Sequence, residues 1–548
     1  MATRHDVVIL GGGLAGLTLA LQLKQRFGEI DILVLERRKH PVPEAAHKVG
    51  ESSVEIGANY FDTVIGIRPH LKARQLPKFG LRFFFSEGRR DIEQCTEVGA
   101  TDYLPTPTYQ LDRGILENYL GELATERGIR FLSPAIVREV QLADRDGQHE
   151  VMYEHEGAEH RVTAPWVVDA AGRASIIKRK LGLLEDNAHD ANAVWFRIGT
   201  KIDMDDWSQD PAWLGRVRKQ ERWLSTNHYC GEGYWAWLIP LSSGSHSVGI
   251  VCDAKLHPLN TMNTFEKAMA WLEKYQPLVY DSCNDKRHLL QDFLFFRNFS
   301  FGCKQVYSGD RWALTGEAGL FLDPFYSPGS DFIGMSNTYI TELIARDRAG
   351  EDIRPYAKVY EQLYVSFYES TLALYTDQYP IFGDPEVMPL KILWDYAYYW
   401  GVLSQIFFQR RLTDLNLLGR LRDDLMHTKQ LNFAVQAFLR EWTKKSARRN
   451  VAYMHDQAGL PWLAEWNRGL RDQLTDAELK ARIQANRKQL DQLAIQIVAR
   501  AGVDGVGPEA DALIALTGLE PPEETPLLFA PSVPPAPRAV RQGERHVA

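Results

Sequence analysis

Residues 6–16 read DVVILGGGLAG. The opening apolar run has no alternation, which is the pattern of a strand buried on both faces of a parallel sheet. The glycines follow at once, and LTLALQLKQRF (17–27) continues with helical periodicity. DILVLE (31–36) then resumes as a second apolar strand. Gly11, Gly13 and Gly16 stand in GxGxxG spacing, with Leu14 and Ala15 inside the same turn. Gly11 permits the tight turn, and Gly13 lets backbone approach a pyrophosphate at the positive helix N-terminus. Gly16 lets the helix pack closely on the sheet. Glu36 lies about twenty residues beyond the motif, where an acid accepts from ribose hydroxyls. A carboxylate there suits a ribose without a 2′-phosphate. Glycine triples also occur by chance; the strand before, the helix after and the acid beyond carry the reading.

The rest of the composition is that of an ordinary globular protein. The chain has 548 residues, 45% hydrophobic and 24% charged, enough for a large core in several domains. A net charge of −8 and the lack of a long Lys/Arg block argue against nucleic acid as a partner. Five cysteines are scattered without a CxxC pair, which predicts a reducing, cytoplasmic setting and no metal site. No stretch has the ~18 uncharged apolar residues of a transmembrane helix. The richest candidate, ILWDYAYYWGVLSQIFF (392–408), carries Asp395 and reads as a greasy pocket wall or an interface.

The pattern predicts an α/β fold. An FAD-binding Rossmann-like domain of the glutathione-reductase type occupies 1–350, with an antiparallel substrate-side sheet inserted at about 195–300. A helical region follows at 351–519. Residues 520–548 are Pro-rich and without periodicity, and are read as a disordered tail. Two distant segments favour FAD over NAD. VVDAAGRAS (167–175), with Asp169, resembles the strand-turn signature of glutathione-reductase-type flavoproteins. RWALTGEAGLFLDP (311–324) resembles their late Gly-Asp segment, which reaches the ribityl chain. Here Gly316 is followed by Glu317, and Asp323 is the alternative acceptor. YQLDR (109–113) resembles the segment whose arginine, here Arg113, contacts the flavin diphosphate. Val137 completes the cofactor-contacting set from this part of the chain. No second strand–GxGxxG–helix unit is visible, so reduced flavin is expected from a separate flavin reductase.

WAWLIP (235–240) places Trp235, Trp237 and Ile239 on one face of a strand. Taken alone, such a pair reads as core packing. With KVGESS (48–53), FLDPFYSPGSDF (321–332) and GGGLAG beside it, the chain resembles the flavin-dependent halogenases over about residues 5–340. The resemblance implies that reduced FAD and oxygen oxidise chloride or bromide to hypohalous acid, which a lysine presents to the organic substrate. It implies cofactor contacts at Lys48 and Ser52, halide contacts at Ser327, Gly329 and Ser330, and a shielding role for Trp235 and Trp237. Of Lys48, Lys72 and Lys78, Lys78 matches the family's catalytic lysine, because LPKFGLRFFF (76–85) resembles its basic–Lys–aromatic–Gly segment. Lys78 is placed past KVGESS, on the strand-like run of FGLRFFF. Tyr326 stands where the tryptophan-specific branch has glutamate, which points to the phenol/pyrrole branch.

The expected substrate is an electron-rich aromatic or pyrrole, free or bound to a carrier protein. One departure weighs against halide use. In SPGSD (327–331), Pro328 removes an N–H donor, and Asp331 sets a carboxylate beside the expected anion site. An FAD-dependent monooxygenase or dehydrogenase on the same scaffold therefore remains an alternative, as does a non-enzymatic flavin-binding protein.

Overall fold

The computed structural model describes residues 3–44, 50–502, 507–524 and 528–529. Strands Val7–Leu10, Ile32–Leu35, Arg130–Leu132, Trp166–Asp169 and Trp312–Leu314 form an all-parallel sheet. Its order runs 312–314, 166–169, 7–10, 32–35, 130–132. The N-terminal strand thus lies in the middle, buried along its whole length, as its unbroken apolar run requires. Helix Leu14–Arg26 starts at the end of that strand and packs against helices Arg113–Glu126 and Gly329–Arg348. Strands Ala135–Gln141, His149–His155 and Ala158–Ala164 form a meander beside this sheet, edged by Thr3–Arg4.

The second large sheet has eight strands, in the order 290–296, 191–198, 246–253, 234–240, 226–231, 81–84, 97–99, 454–456. It is wider and more mixed than the antiparallel insert expected at 195–300. Leu81–Phe84 pairs parallel to Thr226–Gly231, and Met454–Asp456 pairs parallel to Glu97–Gly99. These additions satisfy strand edges with backbone that is remote in sequence, a pairing that local periodicity does not reveal.

Strand Tyr234–Pro240 separates two cores by side-chain alternation. Tyr234, Ala236 and Leu238 join Trp271, Leu272 and Val279 of helices Phe265–Tyr275 and Pro277–Asn284. Trp235, Trp237 and Ile239 face the main core, which also holds Leu10, Tyr396 and Trp400. The C-terminal helices Arg354–Leu372, Met388–Tyr398, Leu415–Thr443 and Asp476–Ala501 share that core with the nucleotide-binding sheet. Helix Asp476–Ala501 begins at a capping box between Thr475 and Glu478. Of the Pro-rich segment 520–548, residues 525–527 and 530–548 lie outside the described residues, while Phe529 is buried against His455. Among the described residues, no helix is long and apolar enough to cross a membrane.

Candidate active site

The glycine turn is shaped for close approach on one side and left open on the other. Gly11 has φ +108°, and a Cβ built on it would lie 2.4 Å from the Ala170 carbonyl oxygen. A Cβ on Gly16 would lie 2.0 Å from the Gly11 carbonyl oxygen. A Cβ on Gly13 meets nothing within 4 Å. The open side therefore belongs to Gly13, at the N-terminus of helix Leu14–Arg26, where a pyrophosphate gains both N–H groups and the helix dipole. Glu36 accepts from the Gly12 and Arg38 N–H groups, each at 2.8 Å, so its carboxylate is held at the strand end. Gly316, at φ +61°, brings the 316–318 turn against Ala15. Glu317 pairs with Arg173 at 3.1 Å. Arg113 hydrogen-bonds Glu117 and reaches the Gly50 carbonyl, and burial lowers its pKa to about 10. An open glycine cradle, an anchored acid and a half-buried guanidinium together fit FAD. Val137 lies half-buried on the meander strand Ala135–Gln141. Lys48 lies outside the described residues.

Three expected contacts make hydrogen bonds within the chain. Asp169 is fully buried, and its oxygens accept from the N–H groups of Ala171 (3.0 Å) and Ile177 (2.8 Å). Its carboxylate shapes the VVDAAGRAS turn from inside. Asp323 is fully buried too, accepting from Phe325 N–H (2.9 Å), His189 (2.8 Å) and the Tyr379 hydroxyl. Three donors within the core hold this carboxylate, which was the expected alternative ribityl acceptor. Ser52 turns its hydroxyl to Lys78 and Thr226, at 2.8 Å each. Its hydroxyl thus joins the lysine to Thr226.

Lys78 lies in the loop ahead of strand Leu81–Phe84, not on the strand itself. It is 3% exposed, and its Nζ donates to Ser52 Oγ and to the Ser53 carbonyl, both at 2.8 Å. Burial lowers its pKa to about 7, against the opposing pull of Glu55 and Asp331. It borders a cavity of about 260 Å³, together with Val54, Glu55, Leu81, Tyr109 and Tyr396. Lys72 borders the same cavity but is exposed. A second, smaller cavity is bordered by Val54, Glu55, Leu81, Tyr396, Pro328 and Asp331. Glu55 and Tyr396 thus border both spaces, and neither was singled out from sequence. Glu55 follows KVGESS by two residues, and Tyr396 sits in the aromatic run 392–408; those adjacencies were the available signals.

The 327–331 loop explains how Asp331 is tolerated. Its carboxylate turns away from the loop and accepts from Gly57 N–H and the Tyr399 hydroxyl, each at 2.7 Å. Burial raises its pKa to about 7. Ser327 has φ +56° and spends its N–H on the Pro324 carbonyl at 2.8 Å. The expected halide contact at Ser327 is thereby reduced, because that donor is used within the turn. Gly329 and Ser330 begin helix Gly329–Arg348, where first-turn N–H groups have no acceptor within the helix. A Cβ on Gly57 would lie 2.5 Å from Ser330 Cβ, so glycine there permits the two segments to meet.

Trp235 and Trp237 are both buried, with ring centroids 5.5 Å apart. The Trp235 indole N–H donates to Tyr379 Oη at 3.1 Å, and that of Trp237 to Ser247 Oγ at 3.1 Å. Trp235 also packs edge-on against Phe325 of the loop ahead of SPGSD, at 5.3 Å. The tryptophan face is thereby joined to that loop. Among the described residues, no group of His, Cys, Asp or Glu is arranged to hold a metal ion.

Comparison with known proteins bears on the cofactor-binding domain and the fold. Residues 4–270 match the model of the FAD binding domain family. The chain is 26% identical over 508 residues to the flavin-dependent halogenase chlA of Dictyostelium discoideum, spanning 84% of this chain and 80% of that one. It is 25% identical over 359 residues to a 1H-pyrrole-2-carbonyl-[peptidyl-carrier protein] brominase of Pseudoalteromonas luteoviolacea, spanning 64% and 79% of the two chains. Its fold is similar to that of halogenase PltM in complex with phloroglucinol and FAD, with a TM-score of 0.65 at 19% identity over 88% of this chain and 96% of that one.

Proposed function

The chain belongs to the flavin-dependent halogenase family, and from that premise we propose that it works as the halogenating partner of a separate flavin reductase. The substrate is an electron-rich phenol or pyrrole. Gly11, Gly13, Gly16, Glu36 and Arg113 would hold FAD. When bound and reduced, the cofactor would give two electrons to oxygen, bringing it to the peroxide level that takes two more from halide to form hypohalous acid. Gly329 and Ser330 offer N–H donors to the halide. Trp235 and Trp237 wall off the strand side, so that organic substrate is kept from the flavin. Lys78 presents the oxidised halogen to a ring in the adjoining cavity.

The observation that carries this reading is Lys78: a buried lysine whose pKa falls to about 7, on the wall of the larger cavity. A lysine in that state offers a neutral amine at ordinary pH. The carboxylate that favoured a reaction without halide, Asp331, is turned onto Gly57 and Tyr399. The relative that acts on a carrier-bound pyrrole supports a tethered substrate; the one seen with phloroglucinol supports a free phenol.

The test supplies FAD, NADH, a flavin reductase and bromide, with phenol and pyrrole probes offered free and as carrier-bound acyl groups. Products bearing the paired bromine isotope pattern are expected. Oxygen addition without halogen, in every probe, would overturn the assignment.

A further inference from the structure

The hydrogen bonds behind Lys78 have a fixed direction. Gln110 Nε2 donates to the Leu224 carbonyl at 3.1 Å. A carbonyl only accepts, so Gln110 Oε1 is the atom that faces Thr226, and it accepts the Thr226 hydroxyl at 3.1 Å. With that proton spent, Thr226 Oγ1 accepts from Ser52 Oγ at 2.8 Å. Ser52 then has no proton left for Lys78 and accepts from its Nζ at 2.8 Å. A second Nζ proton goes to the Ser53 carbonyl at 2.8 Å. Lys78, Ser52, Thr226 and Gln110 are all buried. A neutral amine has two protons, and both are committed.

We propose that Ser52, Thr226 and Gln110 form a one-way relay that keeps the lone pair of the Lys78 amine unoccupied and available to the adjoining cavity. This rests on the function proposed above. Ser52, Thr226 and Gln110 are positioning residues, since none of them meets the oxidised halogen. Were the relay cut at Thr226, the Ser52 hydroxyl would be free to rotate and donate to the amine. The lone pair would then be occupied, and hypohalous acid arriving in the cavity would find no acceptor. Charged or titratable groups face this site from several elements: Glu55 from the short helix Glu55–Asn59, Asp331 from helix Gly329–Arg348, His228 from strand Thr226–Gly231 and, around the cavity, Lys72 from helix Arg68–Arg74, Tyr109, and Tyr396 from helix Met388–Tyr398.

The test compares Thr226→Val and Thr226→Ser with the parent. It measures halogenated product against hypohalous acid released to a thioether scavenger, across pH 5–9. Thr226→Val is expected to lower the product-to-released-oxidant ratio about tenfold, the scale of one hydrogen bond. The acid limb of its profile should move to lower pH, because a donor on the lone pair stabilises the neutral amine. Thr226→Ser should restore both. A lysine merely displaced toward water would move the limb to higher pH and overturn the proposal. A parental ratio and profile in Thr226→Val would overturn it equally. If Thr226→Val fails to fold, Gln110→Leu cuts the relay at its far end, and a parental ratio there overturns it. A parent that yields neither product nor hypohalous acid instead refutes the halogenase reading, before any variant is compared.

Discussion

The Trp235 indole donates to the Tyr379 hydroxyl, which in turn donates to the buried Asp323 carboxylate. The tryptophan face is thereby pinned from behind by the helical half of the chain and held against Phe325. Trp235→Phe should remove this donor at a cost of about 1 kcal/mol. Trp235→Ala should cost about 3–5 kcal/mol, as large-to-small core changes do. Trp235→Phe should remain folded and release more peroxide per product formed; calorimetry and a peroxide assay check the pair. Unchanged coupling in both variants would remove the shielding role.

Asp323 should prove structural. Asp323→Asn keeps the oxygen that accepts from Phe325 but presents an amide N–H₂ to the Tyr379 hydroxyl and His189. A loss of about 2–3 kcal/mol in unfolding free energy is expected, with FAD affinity close to parental in the folded fraction. A large fall in FAD affinity at parental stability would return Asp323 to the ribityl chain.

Gly13 and Gly16 should fail in different ways. Gly13→Val places its side chain in open space, so the fold should persist while FAD binding is lost. Gly16→Ala drives a methyl into the Gly11 carbonyl, so stability itself should fall by about 3 kcal/mol. Flavin titration and thermal melting of the two apoproteins separate these outcomes.

Lys78→Met should keep FAD binding and oxygen consumption yet lower halogenated product by about 10²-fold or more. Lys78→Arg should fail similarly, since guanidinium stays charged. The exposed neighbour supplies the control, Lys72→Ala, which should halogenate like the parent. In the parent, product per oxygen should fall as pH drops below about 7, where the amine protonates. A flat profile from pH 6 to 8 would argue against a neutral amine.

Asp331 gives stability a pH dependence of its own. An unfolded aspartate ionises near the ordinary 3.8, while the native group holds its proton to about 7. Between those values the unfolded state binds fewer protons, so this group's contribution is full at low pH and is lost as pH rises. Asp331→Asn should flatten that decline between pH 4 and 7. Denaturant midpoints at pH 4.5, 5.5 and 6.5 for parent and variant measure it; parallel curves would mean that Asp331 ionises in the native state near its ordinary pKa.

The sequence by itself determined the nucleotide-binding half. Val7–Leu10, the three glycines and Glu36 are consecutive in space because they are nearly consecutive in the chain, so strand and helix periodicity suffice to read them. Trp235 and Trp237 were assigned to one face for the same local reason, the two-residue alternation of a strand. Only the tertiary structure decided what surrounds Lys78. Ser52, Thr226 and Gln110 reach it from separate segments, and its buried amine depends on that enclosure. Asp331 and Asp323 show the same limit: residue type announces a charge, but direction is set by partners such as Gly57, Tyr399, His189 and Tyr379. Tyr399 and Tyr379 come from the helical region, where the sequence carried no motif. The edge strand Met454–Asp456 escaped notice because strand pairing is a hydrogen-bond match between distant segments, and three residues carry too little pattern to announce it.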